Sequence, residues 1–372
     1  LCLGFHSSLQ ADLGFIFPTQ KELPEVDALL TQAQKLADEE KYDQALKLYN
    51  QAIETSLKTN YSKGLTKGYV GASAVLYVQN KLETATQYLI KAKDEPYAKE
   101  SPEVMTEIHF REGLNLHVLG LYDQAIRRYK ESISTSQKIK DLTSKHDLVN
   151  KSYINIGDVY QLKNQFDSAQ YFYQVAYKSP TKDLNNRFIS SISLADVFME
   201  ENKMDSAWHY LTISESVSKK IGTKGIESTF DKLLAKYFEK KGKHDSAIYY
   251  YERSIAAKNE IKRPEPKLLK KLSEIYALVG DNDKSVMYLE EYVSMNDSLK
   301  IANHGNVQVP IMLAKNASQK KLESAESKSN LLLIILGILF AITAVFVYLF
   351  VKKQKKKNTF RKEENTQLKQ KL

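Results

Sequence analysis

Small and large apolar residues recur along this chain with a period close to forty, and each period carries the spacing of two helices. A short phrase appears seven times: EKYDQAL (40–46), NKLETAT (80–86), GLYDQAI (120–126), NQFDSAQ (164–170), NKMDSAW (202–208), GKHDSAI (242–248) and DNDKSVM (281–287). Its small residue falls at Ala45, Ala85, Ala125, Ala169, Ala207, Ala247 and Ser285, with spacings of 40, 40, 44, 38, 40 and 38 residues. Self-similarity on this scale is the signature of a repeat array, in which each unit buries its apolar face only against its neighbours.

Twelve positions before each marker stands a second small residue: Ala33, Ser73, Gly113, Gly157, Ala195, Ala235 and Ser273. Four positions after each marker comes a large apolar one: Tyr49, Leu89, Tyr129, Tyr173, Leu211, Tyr251 and Leu289. Small residues let two crossing helix backbones approach to about 8–10 Å, and a step of four keeps marker and large residue on one face. Each unit therefore reads as helix, polar turn, helix. The turn carries Asp43, Asp123, Asp167, Asp205 or Asp245 directly before the second helix, where a carboxylate can accept from a free first-turn N–H and oppose the helix dipole.

These residues resemble the tetratricopeptide repeat (TPR) family. The fourth unit carries the resemblance most fully, with Tyr153, Ile156, Gly157, Tyr160, Ala169, Tyr173 and Ala176 on the family pattern. The likeness runs over residues 26–300 and implies an all-α fold, a TPR-like α-solenoid of about seven units. The period departs from the family's roughly 34 residues, so longer helices or loops must absorb the excess.

In such arrays the groove lined by each unit's first helix takes a protein or peptide ligand. The positions that resemblance places in the groove hold Val70, Ala74 and Tyr77 in the second unit and Phe110, Leu114 and His117 in the third. Asp158, Asp196, Lys236, Glu239 and Glu274 follow in later units. The expected partner-binding residues are Val70, Tyr77, Phe110, Leu114 and His117, in a groove apolar early and charged late. An apolar floor suits an amphipathic segment; the same residues could equally pack against adjacent helices. The family's carboxylate-clamping members carry Lys and Asn where this chain has Leu30 and Gln34, so that activity is not carried over.

A second signal lies far from the repeats. Leu331 to Val351 holds 21 residues without a charge, enough at about 1.5 Å per residue to cross a hydrocarbon core of roughly 30 Å. Basic residues crowd its far side: Lys352, Lys353, Lys355, Lys356 and Lys357, with Arg361 and Lys362 beyond. The positive-inside rule then places residues 352–372 in the cytoplasm and the array outside, in the periplasm of a Gram-negative bacterium. A tail-anchored chain with a cytosolic array is the alternative that this asymmetry argues against. Between array and span, residues 301–330 include Ile311, Ala314, Ser318, Leu322 and Ala325 at steps of 3 or 4, a helical stalk. The tail's Phe360, Leu368 and Leu372 suit the start of a coiled coil, and stalk and tail together could pair two copies. Residues 1–25 form a leader that could be the remnant of a secretory signal or an unstructured extension. Cys2 lacks the preceding small residue of a lipidated cysteine.

Charge sharpens the picture. The net charge of the 372 residues is +9, and the tail after Val351 contributes +7 of it through nine Lys/Arg and two Glu. The rest carries only +2, which gives the array no electrostatic footprint for nucleic acid. Catalysis finds no foothold: there is no HExxH, no cysteine pair and no phosphate-binding glycine loop. His109 and His117 lie two helical turns apart, too far to share a metal. No cofactor, metal or enzymatic activity is expected.

The order of array, stalk, span and basic helix resembles the TPR–transmembrane signalling proteins of Bacteroidetes-type bacteria, whose cytoplasmic parts lead to transcriptional or kinase modules. Residues 352–372 contain neither. The expectation is a single-pass inner-membrane sensor and transducer, the N-terminal part of a signalling or transcriptional regulator. A membrane-anchored scaffold for envelope proteins is the alternative.

Overall fold

The computed structural model describes residues 22–261 and 265–302, with short helical pieces at 327–328, 331, 333–336, 338–339 and 352–353. Most of the stalk, the apolar block and the tail lie outside the described residues. Two compact units divide the chain, Leu1–Asn306 and Val307–Leu372.

Among the described residues of the first unit run fifteen α-helices, and fourteen of them form seven antiparallel pairs. These are α1 (Pro24–Asp38) with α2 (Tyr42–Thr59), and α3 (Ser62–Val78) with α4 (Leu82–Asp94). A short α5 (Pro96–Glu100) is followed by α6 (Pro102–Val118) with α7 (Tyr122–Ser136), and α8 (Leu142–Leu162) with α9 (Phe166–Lys178). Then come α10 (Leu184–Glu200) with α11 (Met204–Ile221), α12 (Lys224–Lys240) with α13 (His244–Glu260), and α14 (Pro266–Leu278) with α15 (Asn282–Ala302). The excess over the family's period lies in helices of up to 21 residues and in the inserted α5.

Each turn within a pair is built the same way. Five residues before every marker the backbone adopts a left-handed conformation: Glu40 (φ 61), Asn80 (57), Gly120 (73), Asn164 (56), Asn202 (60), Gly242 (70) and Gly280 (84). The following N–H reaches back to close the helix end, as in Lys41 N to Leu36 O at 2.8 Å and Lys81 N to Leu76 O at 2.8 Å. This is the Schellman closure, which glycine favours because it has no Cβ and asparagine because its short polar side chain tolerates the left-handed conformation. The turn aspartates do something other than cap. Asp43 and Asp123 sit one residue inside their helices, whose N-cap positions make no side-chain bond. Their carboxylates instead accept from the end of the next unit's first helix, Gln79 Nε2 to Asp43 at 2.8 Å and Lys163 Nζ to Asp123 at 2.7 Å. They tie neighbouring units together while still opposing the helix dipole.

The core follows the small-to-large pattern. Gly113 and Gly157 lie against the rings of Tyr129 and Tyr173, where an added Cβ would stand 2.5 Å from ring carbon Cε1. The large residue four after the marker is at most 3% exposed in the first six units, while Leu289 in the seventh is 44% exposed. The physical reason is position: inner units are sandwiched between neighbouring helix pairs, and no described helix packs on the far side of α15.

No helix among the described residues is long and apolar enough to cross a membrane. The described part of the apolar block is helical, and Leu331, Leu333, Ile334, Ile335, Leu336, Ile338 and Leu339 are each between 46 and 63% exposed.

Candidate functional site

The first helices of the amino-terminal units border a cavity. A cavity of about 710 Å³ opens between α1, α3 and α6, lined among others by Leu30, Gln34, Tyr49, Lys67, Val70 and Arg111. Tyr49 explains how the second helix reaches a groove made by first helices. The small Gly71 leaves room for its ring, and its hydroxyl donates to Gln34 Oε1 at 3.0 Å. Packing and groove chemistry therefore share one residue. Burial pushes the Tyr49 hydroxyl up to about 12, so it stays a neutral donor.

Of the five residues expected to bind a partner, Val70 is buried and lines this cavity. Tyr77, Phe110, Leu114 and His117 are half-buried on α3 and α6 and are not part of its lining. Phe110 packs on Tyr129 with ring centres 5.8 Å apart. His117 packs edge-on to Tyr122 at 6.2 Å, and burial holds its imidazole below the usual range, so it is neutral at pH 7.

The early groove carries charge beside the apolar floor expected. Its cavity is rimmed by Asp27, Lys67, Glu107 and Arg111. Three of these stand six positions before the small residue of the first helix, one helical turn beyond the positions inspected in the sequence, and that spacing could have found them. Arg111 is held by Glu107 through two bonds of 2.9 and 2.7 Å, and Lys63 pairs with Glu22 at 3.2 Å.

Further along, charged groups cross from helix to helix. Tyr173 donates its hydroxyl toward Asp158 at 2.6 Å, with Gln161 Oε1 at 2.8 Å. Gln161 Nε2 donates to Asp196 at 2.6 Å, and Asp196 also pairs with Lys236. Lys236 reaches Glu200 at 2.6 Å, and Lys240 reaches the same carboxylate at 3.3 Å. Tyr251 and Lys271 converge on Glu239 at 2.9 and 3.0 Å. Burial, with Asp196 nearby adding to it, pushes the Asp158 carboxyl up to about 6, although the Tyr173 hydrogen bond pulls the other way.

His109, Glu112 and Glu131 gather with ligand atoms within 4.8 Å of one another. Their carboxylates already have cations: Lys93 at 3.1 Å and Arg128 at 3.3 Å from Glu112, and Arg128 at 2.6 Å from Glu131. Burial also holds the His109 imidazole down. A metal ion would have to displace two cations, so the cluster reads as an ion-pair network among α4, α6 and α7.

No protein-family model matches the chain, and no curated protein matches its sequence. Solved structures match its fold. The apo form of RapI aligns with a TM-score of 0.57 at 15% identity, covering 74% of this chain and 99% of that one. The Rap conjugation gene regulator of plasmid pLS20, in complex with the Phr* peptide, aligns at 0.57 and 15% over 80% of this chain and 82% of that one. The apo form of the quorum sensor NprR from B. thuringiensis aligns at 0.61 and 14%, over 73% and 76%. These are TPR-like helical repeat proteins, and the chain has the same all-α, TPR-type fold.

Proposed function

We propose that this chain is a membrane-anchored, non-enzymatic sensor whose TPR-type array binds a peptide or extended protein segment in the groove of its first helices. The observation that carries the reading is the 710 Å³ cavity between α1, α3 and α6, which combines an apolar floor at Leu30 and Val70 with charged walls. An extended segment needs both, apolar pockets for affinity and polar groups to fix its register. A Rap regulator of the same fold was solved with the Phr* peptide, and NprR, also of this fold, is a quorum sensor.

Anchoring follows from the apolar block. Its described residues are helical and exposed on all sides, a state that favours lipid over water as the surrounding medium. The lysines from Lys352 to Lys357 orient it with the array in the periplasm and the tail in the cytoplasm. Ligand binding would then bias a dimer joined through stalk and tail, and a cytoplasmic module would read the outcome.

The test uses the full chain in detergent micelles and a fluorescein-labelled pool of mixed-sequence heptapeptides, followed by anisotropy. Saturable binding that Val70→Asp weakens at least tenfold, with the helical content intact, is the expected result. Binding indifferent to Val70→Asp would remove the groove from the account. Orientation is checked separately by a membrane-impermeant maleimide: a cysteine at position 134 should label in intact spheroplasts, and one at position 358 only after lysis.

A further inference from the structure

Building on the groove reading above, we infer that Asp158 is the recognition point for a cationic side chain of the segment that occupies the groove. Asp158 follows the small Gly157 of its first helix, the position that Gln34 takes in α1, and Gln34 lines the cavity. The groove floor at this point is therefore part of the same surface, three units further along.

The other charges of this stretch are already matched. Lys236 sits between Asp196 and Glu200, Lys240 lies 3.3 Å from Glu200, and Lys271 lies 3.0 Å from Glu239 and 3.4 Å from Glu274. Asp158 has no such partner. The groups facing it are the Tyr173 hydroxyl from α9, Gln161 from its own helix, Asp196 from α10 and, more weakly, Tyr129 from α7. None is a cation, and among the described residues no Lys, Arg or His stands within ion-pair distance of it. Three carboxylates, Asp158, Asp196 and Glu200, thus share two ammonium groups, Lys236 and Lys240, leaving one negative charge unmatched.

Asp158 is half-buried, and a carboxylate partly withdrawn from water without a cation costs folding free energy. Packing alone does not require it, because Gln34 and Ala74 serve the same position elsewhere in the array. A Lys or Arg side chain from the ligand would supply the missing charge and accept the desolvated site as its partner. The upward push on the Asp158 carboxyl adds a signature: the site should hold its charge at pH 7.5 and lose it toward pH 5.

The experiment uses the full chain in micelles and two labelled heptapeptide pools, one with arginine fixed at the centre and one with citrulline, the neutral isostere, at that place. The arginine pool should bind about tenfold more tightly at pH 7.5, the order expected of one partly buried ion pair, and the gap should shrink at pH 5. Asp158→Asn should erase the gap between the two pools. Equal affinity of the two pools for the unaltered protein, or a gap that survives Asp158→Asn, overturns the assignment and leaves the groove reading standing. Failure of every pool to bind overturns both.

Discussion

Gly157→Ala isolates the packing rule on which the array rests. A methyl on Gly157 would lie 2.5 Å from Tyr173 Cε1 and 2.6 Å from Cδ1, well inside contact. Tyr173 is fully buried, and its hydroxyl is fixed at 2.6 Å from Asp158 and 2.8 Å from Gln161. The ring must therefore leave its rotamer or release those bonds, and overpacking of this kind costs about 1–3 kcal/mol. Alanine returns up to about 1 kcal/mol through helix propensity, so the net loss should be roughly 1–2 kcal/mol. Gly225→Ala is the control, because it also lies in a helix but its Cβ would meet only Ile261 Cδ1 at 3.8 Å; it should be neutral or stabilising by up to about 1 kcal/mol. A companion, Gly157→Ala with Tyr173→Leu, recreates the Ala195–Leu211 pairing of the fifth unit and should cost less than the sum of its parts. The assay is hydrogen exchange of α8 and α9 in the full chain, since a repeat array need not unfold in one step. Slower exchange in Gly157→Ala than in the unaltered protein, or strict additivity in the pair, would refute the reasoning.

Glu40→Gly should stabilise the first unit by about 1 kcal/mol, because Glu40 holds the left-handed turn position (φ 61) that glycine occupies at Gly120, Gly242 and Gly280; urea melts followed by exchange in α1 and α2 would register it. Asp158→Asn should raise stability at pH 7.5. The folded carboxyl, at about 6, lies above its unfolded value of 3.8; the folded state binds the extra proton in that window, so the native protein loses up to about 3 kcal/mol as pH rises through it. The advantage of the variant should vanish by pH 4, as thermal melts at the two pH values would show. Arg253→Met should cost about 3 kcal/mol, because the Asp231 carboxylate that it pairs with is only 3% exposed and would lose its cation; loss of exchange protection in α12 and α13 is the measurement.

The repeat was legible because its cause is steric: two small residues and one large one per unit fix where the helices cross, and Gly157 with Tyr173 shows why. The turns were half legible. Glycine or asparagine stands five before the marker in six of seven units, but the left-handed residue was not read from it. The turn aspartates were assigned to capping because spacing alone cannot distinguish a cap from a residue one step inside the helix. Their true partners, Gln79 and Lys163, come from the next unit, and only the stacking of units brings them near. The charged rim of the early groove was not legible for a similar reason. Val70 does face the cavity, yet the charged rim from Asp27, Lys67 and Glu107 lies one helical turn away, on positions that pattern matching to three sites per helix passed over. Ion pairs such as Lys236 with Asp196, forty positions apart, depend on the superhelix and leave no local trace.

The most direct test of groove binding is hydrogen exchange of the full chain with and without the mixed heptapeptide pool. Protection concentrated on the first helices α1, α3 and α6, with the second helices α7 and α9 unchanged, is the predicted result. Protection confined to the second helices, or none at a saturating pool concentration, would contradict it.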